Sequence, residues 1–330
     1  MTTRKGPKND ITDVPGVKVG QSEDLRVKTG VTVILPDTPC ICAGDIRGGG
    51  PGTRETDLLD PSTLVDRADA IVLSGGLLYG LDADGSRRLA WRERQGFTLV
   101  AQAGVPPSPI VPAAILYDLA NGGDKGWGGS TPYPNLGYAA CEAAGAPLRQ
   151  GRAGAGYGAR AGAGLGGVGS ASYVTDDGLI IGAIAAVNSF GSVKMPESDA
   201  FWAWPFEEEG EFGGRRPAAD WKPAADLPPD TKLASPARTN TTIAVVAVSA
   251  SLTQAEARRV AIMAQDGVAR AIRHHGPTDG DAVFVLAMGE GAPAAPFQLT
   301  RIGLLAADCP PEPSPGRSTK QNAKRPDISA

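Results

Sequence analysis

Apolar residues arrive along this chain in short, β-branched bursts bounded by glycine, proline and acidic residues, the pattern of strands buried on both faces. Val31-Thr-Val-Ile-Leu35 and Ala70-Ile-Val-Leu73 predict two such strands. Leu179 to Val187 predicts a strand or strand pair ending at Asn188, while Ile243-Ala-Val-Val-Ala-Val248 and Ala282-Val-Phe-Val-Leu-Ala287 predict two more. Helical periods are fewer. Thr253-Gln-Ala-Glu256 is a capping box, followed by Val260, Ala264, Val268 and Ile272 at i,i+4 spacing. Gly76 to Gln95 and Asn135 to Ala144 predict two further helices. Strands and helices mix without a strict βαβ alternation, which favours α+β layers over a doubly wound sheet. Two stretches have no apolar period. A charged, proline-rich segment over 205–239 reads as an exposed linker, and the proline-rich polar tail over 309–330 reads as disordered.

Composition narrows the class. The 330 residues suffice for one large domain or two ordinary ones, and an excess of Gly (44) and Pro (28) points to many tight turns. A net charge of −4 with both signs interspersed gives no footprint for nucleic acid. No apolar run approaches the roughly 18–20 residues of a membrane span, and the N-terminal residues lack the apolar core of a secretory signal. Cys40, Cys42, Cys141 and Cys309 form neither a disulfide framework nor a zinc spacing, and Cys40 and Cys42 on one strand would share a face. Buried free thiols in a cytoplasmic protein are the expectation.

The sharpest chemical feature is the junction where the 205–239 linker meets the strand beginning at Thr241. Cleavage between Asn240 and Thr241 would leave Thr241 with a free α-amine beside its hydroxyl. Such an amine, with an ordinary pKa of about 7.7–8.0, can deprotonate the adjacent nucleophile near neutral pH. The plainer reading is a loop meeting a strand, where Asn and Thr are common. Asp279-Gly280-Asp281 puts two carboxylates just before an apolar strand, either to orient Thr241 or simply as a turn. Asn188 at a strand end could donate N–H to an oxyanion or merely close the strand. Tyr117, followed by Asp118, offers a phenol at the end of another apolar segment. His274 and His275 with Asp279 and Asp281 read better as a solvated helix end than as a metal site. Gly162-Ala-Gly164-Leu-Gly-Gly167 matches a dinucleotide fingerprint only formally, and a glycine-rich wall beside a cleft is the better reading.

Together these stretches resemble the self-processing L-aminopeptidase/D-esterase proteins, which include β-aminopeptidases and the endo-type 6-aminohexanoate-oligomer (nylon) hydrolases. Asp13-Val-Pro-Gly-Val-Lys-Val-Gly20, Gly50-Pro-Gly-Thr-Arg-Glu-Thr-Asp57, Leu73-Ser-Gly-Gly76 with Tyr79-Gly-Leu-Asp82, and Ile110 to Asp118 carry the likeness. So do Gly151-Arg-Ala-Gly-Ala-Gly156, Val187-Asn188, Asn240-Thr-Thr-Ile243 and Asp279-Gly-Asp281, in order from about residue 10 to 308.

The resemblance implies a four-layer αββα sandwich like that of N-terminal-nucleophile hydrolases, with different connectivity. It implies one domain over 1–308, cut into chains 1–240 and 241–330 that stay associated, as a tetramer of such heterodimers. It carries Thr241 over as nucleophile, Asn240 as the residue cut from it, Asn188 as the oxyanion-side asparagine, Tyr117 as an active-site tyrosine, and Asp279 and Asp281 as the acidic pair. The implied enzyme is a cofactor-free, metal-free hydrolase of small peptides or amides: N-terminal amino-acid amides or short ω-amino-acid oligomers. It would have no nucleic-acid or membrane partner. The Asn-Thr-Thr junction looks more like the nylon-oligomer branch. An acyl transferase like the ornithine acetyltransferases, or a non-catalytic relative, are the alternatives. Two departures stand out. Nylon-hydrolase relatives carry a lysine where this chain has Ala163-Gly164, leaving Arg160 as the nearest cation, and they end in a helix that the proline-rich tail would here replace.

Overall fold

The computed structural model describes residues 2–83, 108–222, 230–232, 239–274, 279–292 and 294–309. Two sheets face one another. The larger has seven strands in the order β1 (Thr3–Lys5), β11 (Gly167–Thr175), β12 (Ile180–Asn188), β13 (Thr241–Val248), β14 (Ala282–Ala287), β4 (Cys40–Ile46) and β6 (Arg67–Ala68). The smaller has five: β2 (Val17–Asp24), β3 (Thr29–Pro36), β7 (Ile71–Ser74), β8 (Ala113–Ile115) and β5 (Thr53–Arg54). A short hairpin of β9 (Arg160–Ala161) and β10 (Gly164–Leu165) stands beside them.

Strand periodicity builds the layers. Along β13, Ile243, Val245 and Ala247 point one way and join Ile34, Ile71, Leu73, Phe284 and Leu286 in the core between the sheets. Ala244, Val246 and Val248 point the other way, into a second core under two helices. Burial on both faces explains why these strands read as continuous apolar runs rather than alternating ones. The five-stranded sheet repeats the device: Val31, Val33 and Val72 face outward against a third core with Tyr133, Leu136 and Ala140.

Those helices are α1 (Tyr133–Glu142) on the five-stranded sheet, and α2 (Gln254–Ala271) and α3 (Pro296–Ala307) on the seven-stranded one. The result is the four-layer αββα sandwich. Helix α2 starts at the foreseen capping box, with the Thr253 hydroxyl accepting from Glu256 N–H and the Glu256 carboxylate accepting from Thr253 N–H. Cys40 and Cys42 lie on one face in the inter-sheet core, and burial pushes the Cys40 thiol up to about 12.

The structure corrects three expectations. A helix does follow the last strand: α3 opens on Pro296, whose missing N–H costs nothing at a helix start, and it buries Ile302, Ala306 and Ala307. The outer layer is therefore present, and the tail does not replace it. The segment after Gly76 is a 3-10 turn over Leu77–Asp82, entered through Gly76 at φ 91°, and the rest of the expected helix lies outside the described residues. The stretch 205–222 is only partly exposed, since Phe206 and Phe212 pack on the helix-side core and Glu207 accepts hydrogen bonds from Phe212 and Gly214 N–H. The tail beyond Cys309 lies outside the described residues.

Among the described residues no helix is long and apolar enough to cross a membrane, and no cluster of His, Cys, Asp or Glu could hold a metal ion.

Candidate active site

The site forms where three strand ends meet at one edge of the seven-stranded sheet. Strand β12 ends at Asn188, and β13 begins opposite it at Thr241, the two forming the last cross-strand pair of an antiparallel ladder. Strand β14 runs parallel to β13 on its other side, so the residues just before β14 lie beside the residues just before β13. Asn240 and Asp279 form an isolated parallel bridge there. Sequence-distant motifs thus converge: Asn188, Asn240, Thr241, Asp279 and Asp281 are all buried at this edge.

The Asn240 carbonyl oxygen accepts from Gly280 N–H at 2.9 Å and from the Thr241 hydroxyl. Nucleophile candidate and a backbone donor therefore meet on the carbonyl of the bond expected to be cut. The Asp281 carboxylate accepts from Thr242 N–H at 2.6 Å, and the Asp279 carboxylate accepts from Phe190 N–H at 3.2 Å. Asp281 thus holds the backbone just after Thr241, and Asp279 holds the segment just after Asn188. Asn188 Nδ2 donates to the Thr239 carbonyl at 2.8 Å, one peptide upstream of the Asn240 carbonyl. Its Oδ1 accepts from Arg160 N–H at 2.9 Å and from Lys232 Nζ at 3.2 Å.

Glycines make the approach feasible. A Cβ on Gly280 would lie 2.8 Å from Thr241 Oγ1 and 2.7 Å from the Gly50 carbonyl oxygen. A Cβ on Gly48 would lie 2.2 Å from Asp281 N, so nothing larger fits where the glycine loop crosses the acidic one. Arg47 and Gly48 N–H donate to the Asp281 carbonyl, and Gly50 N–H donates to that of Asp279. The Gly48-Gly-Gly50 loop therefore lies at close backbone approach to the loop carrying the two aspartates.

Tyr117 follows β8 on the other sheet and is half-buried. His274 is half-buried, and His275 lies outside the described residues. The Gly162–Gly167 stretch is the β9–β10 hairpin and the entry to β11, and it forms a wall beside Asn188 rather than a strand-to-helix phosphate loop. Arg160, the cation nearest the Ala163-Gly164 gap in sequence, turns its guanidinium to the Ala163 carbonyl in an exposed position. Lys232 was not foreseen. Its amine is half-buried beside Asn188, and burial brings it down to about 7, opposed by the Asp279 charge and assisted by Arg160. Gly280 N–H was missed as well. No sequence signal marks a backbone donor, though a glycine between two aspartates beside a strand leaves room for one.

An uncharacterized aminopeptidase of Mycobacterium tuberculosis is 43% identical over 327 residues, spanning 91% of each chain. The 6-aminohexanoate-oligomer endohydrolase of a Kocuria species is 31% identical over 291 residues, spanning 84% of this chain and 74% of its own. Among solved structures, a Burkholderia β-aminopeptidase superposes with a TM-score of 0.68 at 22% identity, over 95% of this chain and 87% of its own. The Ochrobactrum anthropi L-aminopeptidase D-Ala-esterase/amidase, described as a variant of the Ntn hydrolase fold, gives 0.68 at 20% over 95% and 86%. With residues 9–312 matching its pattern as well, the chain belongs to peptidase family S58.

Proposed function

We propose that this chain cuts itself between Asn240 and Thr241 and then works as an amide hydrolase with Thr241 as its N-terminal nucleophile. The observation that carries this reading is the convergence on one carbonyl: the Asn240 oxygen meets both the Thr241 hydroxyl and Gly280 N–H. In the self-cleavage step Thr241 Oγ attacks the Asn240 carbonyl carbon. Negative charge develops on the Asn240 oxygen, where Gly280 N–H already donates. The C–N bond then breaks, the nitrogen takes up the proton lost by the hydroxyl, and an ester joins Asn240 to Thr241 Oγ. Water hydrolyses that ester, leaving a carboxylate on Asn240 and a free amine and hydroxyl on Thr241.

In turnover the Thr241 amine serves as general base and then acid, and Thr241 Oγ forms an acyl-enzyme that water releases. Departure of the 239–240 segment frees Asn188 Nδ2 from the Thr239 carbonyl, and it then donates to the oxyanion of the bound substrate. Asp281 fixes the backbone at Thr242 and so the direction of the nucleophile. The substrates are N-terminal amino-acid amides or short ω-amino-acid oligomers, a choice supported by the relatives named above. Intact mass of the purified protein, with initial rates on α-amino, β-amino and 6-aminohexanoate amides, tests this. An uncut chain inactive on all three would overturn it.

A further inference from the structure

Before cleavage the Thr241 nitrogen is a peptide amide and cannot act as a base, so the first reaction must be organised by groups already in place. One of them comes from the linker. The segment Asp230-Thr231-Lys232 returns to the sheet edge and is pinned by two backbone bonds. Ala163 N–H donates to the Asp230 carbonyl at 2.7 Å, and Lys232 N–H donates to the Phe190 carbonyl at 3.0 Å. Gly162, at φ +54°, makes the docking possible, since a Cβ there would lie 2.3 Å from the Asp230 carbonyl oxygen. Residues 230–232 therefore lie against the glycine-rich wall beside Asn188. From that anchor Lys232 Nζ reaches the Asn188 carbonyl at 2.9 Å and Asn188 Oδ1 at 3.2 Å.

An asparagine amide can sit in two orientations of nearly the same shape, and its hydrogen-bond partners decide between them. Here Oδ1 meets two donors, Arg160 N–H and the Lys232 amine. A flipped amide would set its NH2 against both of them. Their combined effect is to turn Nδ2 toward the Thr239 carbonyl, beside the bond to be cut. We propose that Lys232, as the ammonium, is a positioning residue for self-cleavage that locks the Asn188 amide, so that the linker carries part of the machinery that cuts it. This rests on the reading that Thr241 attacks its own preceding carbonyl. The charged groups acting on Lys232 are Asp279, from the loop before β14, and Arg160, from β9. Its amine, brought down to about 7, holds its charge below neutrality and loses it above. A neutral amine is the weaker donor.

The test follows self-cleavage of the full chain, made by cell-free synthesis, by intact mass over time between about pH 5.5 and 9. Wild type is compared with Lys232→Met and Lys232→Arg. Below neutrality Lys232→Met should cleave about tenfold more slowly than wild type, the loss expected for one charge-assisted hydrogen bond. That ratio should fall toward one as pH rises through about 7, whereas the Arg-to-Met ratio should stay level because arginine keeps its charge. A wild-type-to-Met ratio that is flat with pH, or equal to one throughout, overturns the proposal. Should Lys232→Met not fold, Lys232→Gln makes the same comparison, because it keeps a donor that does not titrate. Failure of the underlying reading looks different: no variant, wild type included, would release fragment 241–330, and the proposal would fall with it.

Discussion

Two buried polar clusters sit on opposite sheets of this sandwich, each built around a carboxylate beside a glycine turn. On the five-stranded sheet, Asp118 accepts from the Thr29 hydroxyl at 2.6 Å and from Gly76 N–H at 2.8 Å. Burial pushes this carboxyl up to about 6, partly offset by those bonds and by Lys125, and burial followed by the Asp118 charge holds the Tyr133 phenol well above its ordinary range. A Cβ on Gly75 or Gly158 would strike Asp118, so the carboxylate fills the space those glycines leave. On the seven-stranded sheet, Asp281 holds the Thr242 amide and Asp279 the Phe190 amide, while Gly280 N–H and the Thr241 hydroxyl share one carbonyl. In the first cluster the named donors end on a side chain that ties loops together. In the second they converge on the carbonyl of the Asn240–Thr241 peptide bond. Burial shifts Asp118 in the first cluster and Lys232 beside the second, and the direction of the donors separates scaffold from chemistry.

Substitutions should divide along that line. The largest effect belongs to Thr241→Ala, which removes the attacking oxygen. Intact mass should show the single uncut chain, and amide hydrolysis should be undetectable, while Thr242→Ala should spare both. Loss of processing in Thr242→Ala alone would move the nucleophile by one residue. Asn188→Ala should lower kcat by about 10²–10³ with little change in KM, as for a group that donates chiefly in the transition state. A mutant with wild-type kcat would remove Asn188 from the mechanism.

The scaffold cluster should respond in stability and not in chemistry. Asp118 keeps its proton to higher pH in the folded chain than in the unfolded one. Between about pH 4 and 6 the folded state then binds more protons, and stability falls as pH rises through that window. A shift from about 3.8 to about 6 corresponds to roughly 3 kcal/mol. Asp118→Asn, which can still accept from Gly76 N–H and donate to Thr29, should lose this dependence and process normally. Denaturant melts at pH 4, 5, 6 and 7 check it, and identical pH trends in both proteins would contradict the assignment. The smallest effect is at Thr242, whose buried hydroxyl has no hydrogen-bond partner among the described residues. Thr242→Val should raise stability by about 1 kcal/mol with cleavage unchanged. A lower Tm would mean that the hydroxyl is satisfied in solution.

Much of the fold was legible because both-face burial leaves continuous β-branched runs, as in 243–248 and 282–287, and because a capping box is local chemistry. The site residues were legible where a motif sits at a strand end, as Asn188, Thr241 and Asp279-Gly-Asp281 do. Helix α3 was not: it opens amid alanines and prolines, and alanine contributes little apolar contrast to a period. Lys232 was hidden for another reason. It lies in a segment with no period at all, and only the fold brings it across 44 residues of sequence to Asn188. The Gly280 amide has no side chain to read. Tyr117 was expected from the resemblance alone.

The central claim is that the bond before Thr241 is cut by Thr241 itself. Intact mass spectrometry of the purified protein under denaturing conditions tests it most directly. The account predicts two species, residues 1–240 and 241–330, the second beginning with a free threonine amine. A single species of 33.8 kDa that persists on long incubation would contradict it.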